Sequence, residues 1–114
     1  MPAADPATTQ STIESLSALQ SKLFAVPQSQ VEAMSPEDRT KYSDTLNQTN
    51  LAISKLETAS LQGVNDAFKA QEPALAAAAA KLKQDLADLN GTVQLINVAS
   101  QALGTVTNII KLLH

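Results

Sequence analysis

The sequence predicts an all-α fold, an antiparallel bundle of three main helices with a short helical turn between the first two. Three features lead there. Leucine, isoleucine and valine recur at steps of three and four, the spacing that gathers side chains on one face of an α-helix. Alanine, the strongest helix former, fills 19 of the 114 positions. Prolines at 27, 36 and 73 punctuate the periodic runs. Fifteen Leu, six Val and five Ile suffice for one modest core in a chain of this length. A single helical domain over residues 10–114 is therefore expected, behind a flexible tail at 1–9 that carries breakers and no apolar period.

The first helix is expected over 8–26. Ile13, Leu16, Leu19, Leu23 and Val26 form its stripe, and Pro27 stops it because its ring disfavours the helical conformation in the residue before it. A helical turn fits 28–34. Ser35-Pro36-Glu37-Asp38 is the clearest local signal: a serine cap, a proline at the first helical position, and acids at the positive end of the helix dipole. From there a seam of Tyr42, Leu46, Thr49, Ile53, Leu56, Ser60, Gly63 and Ala67 predicts a helix over 36–71, widened by Leu51, Leu61, Val64 and Phe68. Gly63 either permits close helix approach or marks a break.

Gln71-Glu72-Pro73 is expected to turn the chain, with Pro73 opening the last helix in its first turn; the alternative is that Pro73 kinks one continuous helix. That helix, 73–113, has the longest seam: Leu75, Ala79, Leu82, Leu86, Leu89, Val93, Ile96, Ser100, Leu103, Thr107 and Ile110. Taken as one piece it is about 40 residues and roughly 60 Å long. The segments 36–71 and 73–113 then form a long helical hairpin with the helix 8–26 packed on it.

The chain is poor in charge, at 17% against roughly 25% in ordinary soluble domains. Serine, threonine, asparagine and glutamine together number 36. The deficit is local: the 22 residues between Asp88 and Lys111 carry no charge. Half of them are polar or glycine, so this is not a simple membrane span. On a helical wheel Asn90, Gln94, Asn97, Gln101, Gly104 and Asn108 fall on one narrow stripe with Thr105 beside it. Most of the remaining circumference is apolar, an arc about twice the usual width. Such an arc must be covered on more than one side. Three covers are possible: the chain's own helices with the amide stripe facing water, a protein partner or second copy, or lipid with the amides facing an aqueous interior. The third is disfavoured, because interfacial helices usually carry Lys or Arg on the polar face.

Chemistry is mostly missing. The single histidine is terminal, so no serine–histidine or metal-ligand pair can form around it. Three isolated glycines make no phosphate loop. Eight Lys and Arg against eleven Asp and Glu give a net charge of −3, which argues against nucleic acid. Asp85 and Asp88 sit beside Lys81 and Lys83 on what reads as a solvated face. Tyr42 lies on a seam and reads as a core or rim residue. No catalytic residue, cofactor or metal is expected. In composition the chain resembles the proline-punctuated, Ala/Gln/Thr-rich hairpins of secreted bacterial helical proteins. It lacks the Trp-x-Gly turn that defines one such family, since it has no tryptophan.

The expected function is a non-catalytic helical protein–protein interaction module: an adapter, an inhibitor-like binder or an assembly subunit, with a protein partner or a homo-oligomer. The expected contact surface is the flank of the arc formed by Leu95, Val98, Ala102, Val106, Ile109 and Leu113. The alternative is a membrane- or apolar-surface-active helical protein. Residues 1–10 show no signal peptide, and both a cytoplasmic location and secretion after removal of a leader are compatible with the cysteine-free chain.

Overall fold

A computed structural model describes residues 3–89 and 91–113. Among them the chain is all-helical, in the order α1 (Pro6–Phe24), α2 (Gln28–Ala33), α3 (Pro36–Gln62), α4 (Asp66–Ala87) and α5 (Thr92–Ile110). The molecule measures 47 × 25 × 17 Å. α1 packs against α3 and α4, and α5 packs against the same two helices from the other side. α1 and α5 touch little, and α3 and α4 scarcely at all, although three residues join them.

The all-helical expectation holds; the three-helix hairpin does not. The helix expected over 36–71 ends at Gln62, and the helix expected over 73–113 is two helices. The first break is Gly63, which stands at φ 86° and ψ 174°, a region open to glycine alone. Its N–H still bonds the Ala59 carbonyl, so α3 closes cleanly before the chain departs. Asn65 then caps α4, its side chain accepting from the Phe68 N–H at 2.8 Å. The second break falls at residues 88–91, where Asp88 ends α4 and Gly91 precedes α5.

Pro73 neither turns the chain nor opens a helix; it lies inside α4. A mid-helix proline removes one backbone hydrogen bond and costs about 3 kcal/mol. Here it is exposed while Phe68, Glu72 and Leu75 on either side are buried, so packing holds the helix across it. The expected tail boundary also moves. Asp5 caps α1 through its carboxylate, Pro6 occupies the first turn, and Ala4 and Thr9 are buried.

The core is drawn from all four long helices: Leu16, Leu19 and Leu23 from α1, Leu56 from α3, Phe68, Leu75 and Leu82 from α4, and Leu103 and Val106 from α5. With so few large apolar residues in α3, threonines complete its inner face. Thr45 and Thr49 are buried and donate to the carbonyls of Lys41 and Thr45, at 2.6 and 2.7 Å. Thr12 of α1 does the same to Thr8 at 2.8 Å. Turning the hydroxyl back on its own helix satisfies it and leaves the methyl to pack. Ser15 instead reaches across, donating to the Ala79 carbonyl of α4 at 3.0 Å. Thr9 Oγ1 is the one buried side-chain polar atom without a partner among the described residues.

A polar knot ties the start of the chain to α4. The carboxylate of buried Glu72 accepts the Asp5 N–H at 2.6 Å and pairs with Lys69 Nζ at 2.9 Å. Lys69 also donates to the Ala3 carbonyl at 3.0 Å. Together with the Ser15–Ala79 bond, this sets α1 and α4 side by side in the same direction.

Three outcomes follow. Gly63→Ala should lower the unfolding free energy by about 1–3 kcal/mol, because alanine is strained at this backbone geometry. Gly104→Ala should raise it by up to ~1 kcal/mol, since Gly104 is helical and a Cβ there meets nothing within 4 Å. Glu72→Ala should cost about 2 kcal/mol by stranding the Asp5 amide, and Glu72→Gln, which keeps an acceptor, clearly less. Urea unfolding followed by circular dichroism measures all three.

Candidate interaction surface

The geometry of α5 decides what the uncharged stretch can do. Its inner face buries Leu95, Ile96, Ala99, Leu103, Val106, Ile109 and Ile110. Its outer face carries Gln94, Asn97, Gln101, Gly104, Thr105 and Asn108, all exposed, so the amide stripe meets solvent. Asn90, expected to belong to that stripe, lies outside the described residues. No helix among the described residues is long and apolar enough to cross a membrane.

The six residues expected to form a contact surface are divided. Leu95, Val106 and Ile109 are only 5, 1 and 5% exposed. They belong to the chain's own core, because α5 is covered by both α3 and α4, and the expectation is corrected for these three. Val98, Ala102 and Leu113 are half-buried and line surface grooves. Val93, placed on the seam by sequence, is 61% exposed in the first turn of α5, while Ile96, Leu103 and Ile110 of the same seam are buried.

Two grooves flank α5. The one shared with α4 is a depression of about 130 Å³. Val98, Ala102, Ala78 and Leu82 form its apolar part, with Gln101 and Thr105 beside them. Lys81 and Asp85 also line it and pair with each other at 2.7 Å, so it presents no net charge. The groove shared with α3 consists of two depressions, of about 260 and 60 Å³, both bordered by Lys55. Leu51, Ala52, Ala59, Ile110 and Leu113 supply their apolar lining, and Lys55 and Lys111 supply the only charges among the described residues.

The other features singled out in the sequence have structural roles. Tyr42 is half-buried and its hydroxyl donates to the Leu23 carbonyl at 2.6 Å, closing the end of α1. Ser35 caps α3, accepting from the Asp38 N–H at 3.1 Å. No group of three or more metal-ligating side chains comes together among the described residues. Sequence reasoning missed Lys55 and the α3 side of the α3/α5 groove. The signal was present in Leu51, which does not widen the α3 seam but stands 57% exposed beside that groove.

At the end of the molecule that holds α2, two shallower depressions lie on either side of the hydrogen bond from Thr92 Oγ1 to Gln30 Oε1. Among the described residues four large apolar side chains are exposed: Phe24 of α1, Leu51 and Leu61 of α3, and Val93 of α5.

Comparison with known protein families, curated proteins and solved structures finds no match to this chain.

Placing a charge on each side of α5 separates core from groove. Val106→Glu should abolish the cooperative thermal transition, since it buries an unpaired carboxylate in the core. Val98→Glu, at the half-buried groove position, should retain the helical spectrum and a cooperative melt at a lower midpoint.

Proposed function

We propose that this chain is a non-catalytic helical protein–protein interaction module, serving as an adapter, an inhibitor-like binder or an assembly subunit. The observation that supports this reading most is the outer side of α5. From Thr92 to Ile110 it exposes no charge, and it is flanked on both sides by grooves with apolar linings. A face of amides and hydroxyls adapts its hydrogen bonding to a partner, while the grooves supply the desolvated contacts from which binding energy comes. The reachable members of the expected contact surface are Val98, Ala102 and Leu113.

The test compares the wild-type chain with Val98→Glu in light scattering and in capture from the native source. The expected result is a discrete oligomer or a stable hetero-complex for the wild type, lost in the folded variant. A strictly monomeric chain that captures nothing overturns the proposal. Binding to phospholipid vesicles without any protein complex would move the assignment to the alternative, a protein that acts on membranes or other apolar surfaces.

A further inference from the structure

We infer that the groove between α3 and α5 seats an acidic amphipathic helix of a protein partner. The inference rests on the interaction reading above and adds to it a second contact, on the flank of α5 opposite Val98, with its own partner chemistry.

Three properties of the groove carry it. The first is shape. The depression shared with α5 runs along α3 from Gln48 to Lys55, about 10 Å at 1.5 Å per residue, and a second depression, bounded by α3 and by Leu113 just beyond α5, continues from Lys55 to Gln62. The second is its apolar content. Leu51 is exposed at its border and Leu113 is half-buried in its lining, over a base of Ala52, Ala59 and Ile110 that belongs to the core. An apolar helical stripe laid along such a floor is a recurrent mode of peptide recognition.

The third property, charge, selects the occupant. Lys55 and Lys111 both border the groove and both are exposed. Among the described residues neither has an ion-pair partner and no carboxylate lines either depression. On a chain of net charge −3 these two lysines are a local reversal of sign. The contrast with the other flank of α5 is direct: there Lys81 is already neutralised by Asp85 at 2.7 Å. The α3/α5 groove therefore attracts acids, while the α4/α5 groove has no net charge with which to discriminate. A helix with an apolar stripe flanked by glutamates matches both lining and border.

The experiment uses the full chain and a labelled helical peptide of about fifteen residues. The peptide has leucines at helical spacing and glutamates flanking them; a second version replaces every glutamate with lysine. Fluorescence anisotropy is read at low and high salt, and backbone amide NMR shifts locate the site. The glutamate peptide is expected to bind, the lysine peptide to bind at least ~10-fold more weakly, and added salt to weaken the former. The double variant Lys55→Glu/Lys111→Glu should lose at least ~10-fold in affinity for the glutamate peptide, and Lys55→Gln/Lys111→Gln an intermediate amount. Shifts should gather at Leu51, Lys55 and Thr107. Equal binding of the two peptides, no binding of the glutamate peptide, or affinity unchanged in both double variants would overturn the inference. Shifts at Val98 and Ala102 instead would also overturn it while leaving the interaction reading intact. So would sedimentation with phosphatidylglycerol vesicles, in place of peptide binding, that is lost in the double variants. If no peptide binds and the chain also forms no complex sensitive to Val98→Glu, both readings fail together.

Discussion

The side chain of Asn65 ties the start of α4 to the end of α5. Its oxygen caps the first turn of α4 through the Phe68 N–H, and its amide nitrogen donates to the Leu112 carbonyl just beyond α5. It stands two residues after Gly63, whose left-handed backbone ends α3. Val64 between them is almost fully buried and serves as a plug under the turn. Because the chain leaves α3 by this route, α4 does not fold back along α3. It crosses to lie beside α1, and α5 then fills the position that touches both α3 and α4. The arrangement of all four long helices depends on this junction of three residues.

The two ends of the molecule are held unequally. The end containing Asn65 also contains the knot of Glu72, Lys69 and the backbone of Ala3 and Asp5. Every link there is either charge-assisted or made to a backbone group of another element, which fixes position as well as distance. At the opposite end α2 buries none of its residues, and its one side-chain hydrogen bond to another element joins Gln30 to Thr92. Local stability follows buried contacts, so α2 and the approach to α5 lie at the low end of the stability range within this fold. The α4/α5 groove lies along the bundle between these ends and is walled by two long helices, which limits the ordering cost of anything that docks there, whereas the depression lined by Gln62, Gly63 and Leu113 lies at the Asn65 end.

The parts of the fold legible in sequence are those set by local chemistry. Ser35-Pro36-Glu37-Asp38 marks the start of α3 because cap, proline and acids each act within one turn. Pro27 and the turn 28–34 are likewise local, and α2 spans Gln28–Ala33. The helix breaks were not legible in the same way. A three-four step tolerates drift, so a seam runs on across a break when the pieces on either side bury similar faces. That is why Leu75 to Leu89 and Ile96 to Ile110 read as one helix. Pro73 misled in the opposite direction, since a proline on the solvent side of a well-packed helix removes a bond without turning the chain. The burial of Glu72 could not be read at all. Its amide partner, Asp5, is 67 positions away, and a carboxylate is buried only when the fold brings such partners to it.

The surface of α5 shows what an over-wide apolar arc reports. The width of an apolar stripe measures how many neighbours a helix has, not whether one of them is foreign. Here two neighbours on opposite flanks, α3 and α4, account for Leu95, Ile96, Leu103, Val106, Ile109 and Ile110. The sequence pattern was sound in placing the amides opposite that arc, where Asn97, Gln101 and Asn108 face solvent. What it could not supply was the second wall of each groove, because Lys55 and Leu51 stand beside Ile110 and Lys111 only through the packing of α3 against α5. Recognition on a helical bundle is built at such seams. Each wall carries an apolar and a charged member, Leu51 and Lys55 from α3 and Ile110 and Lys111 from the end of α5, so neither sequence segment alone forms the groove.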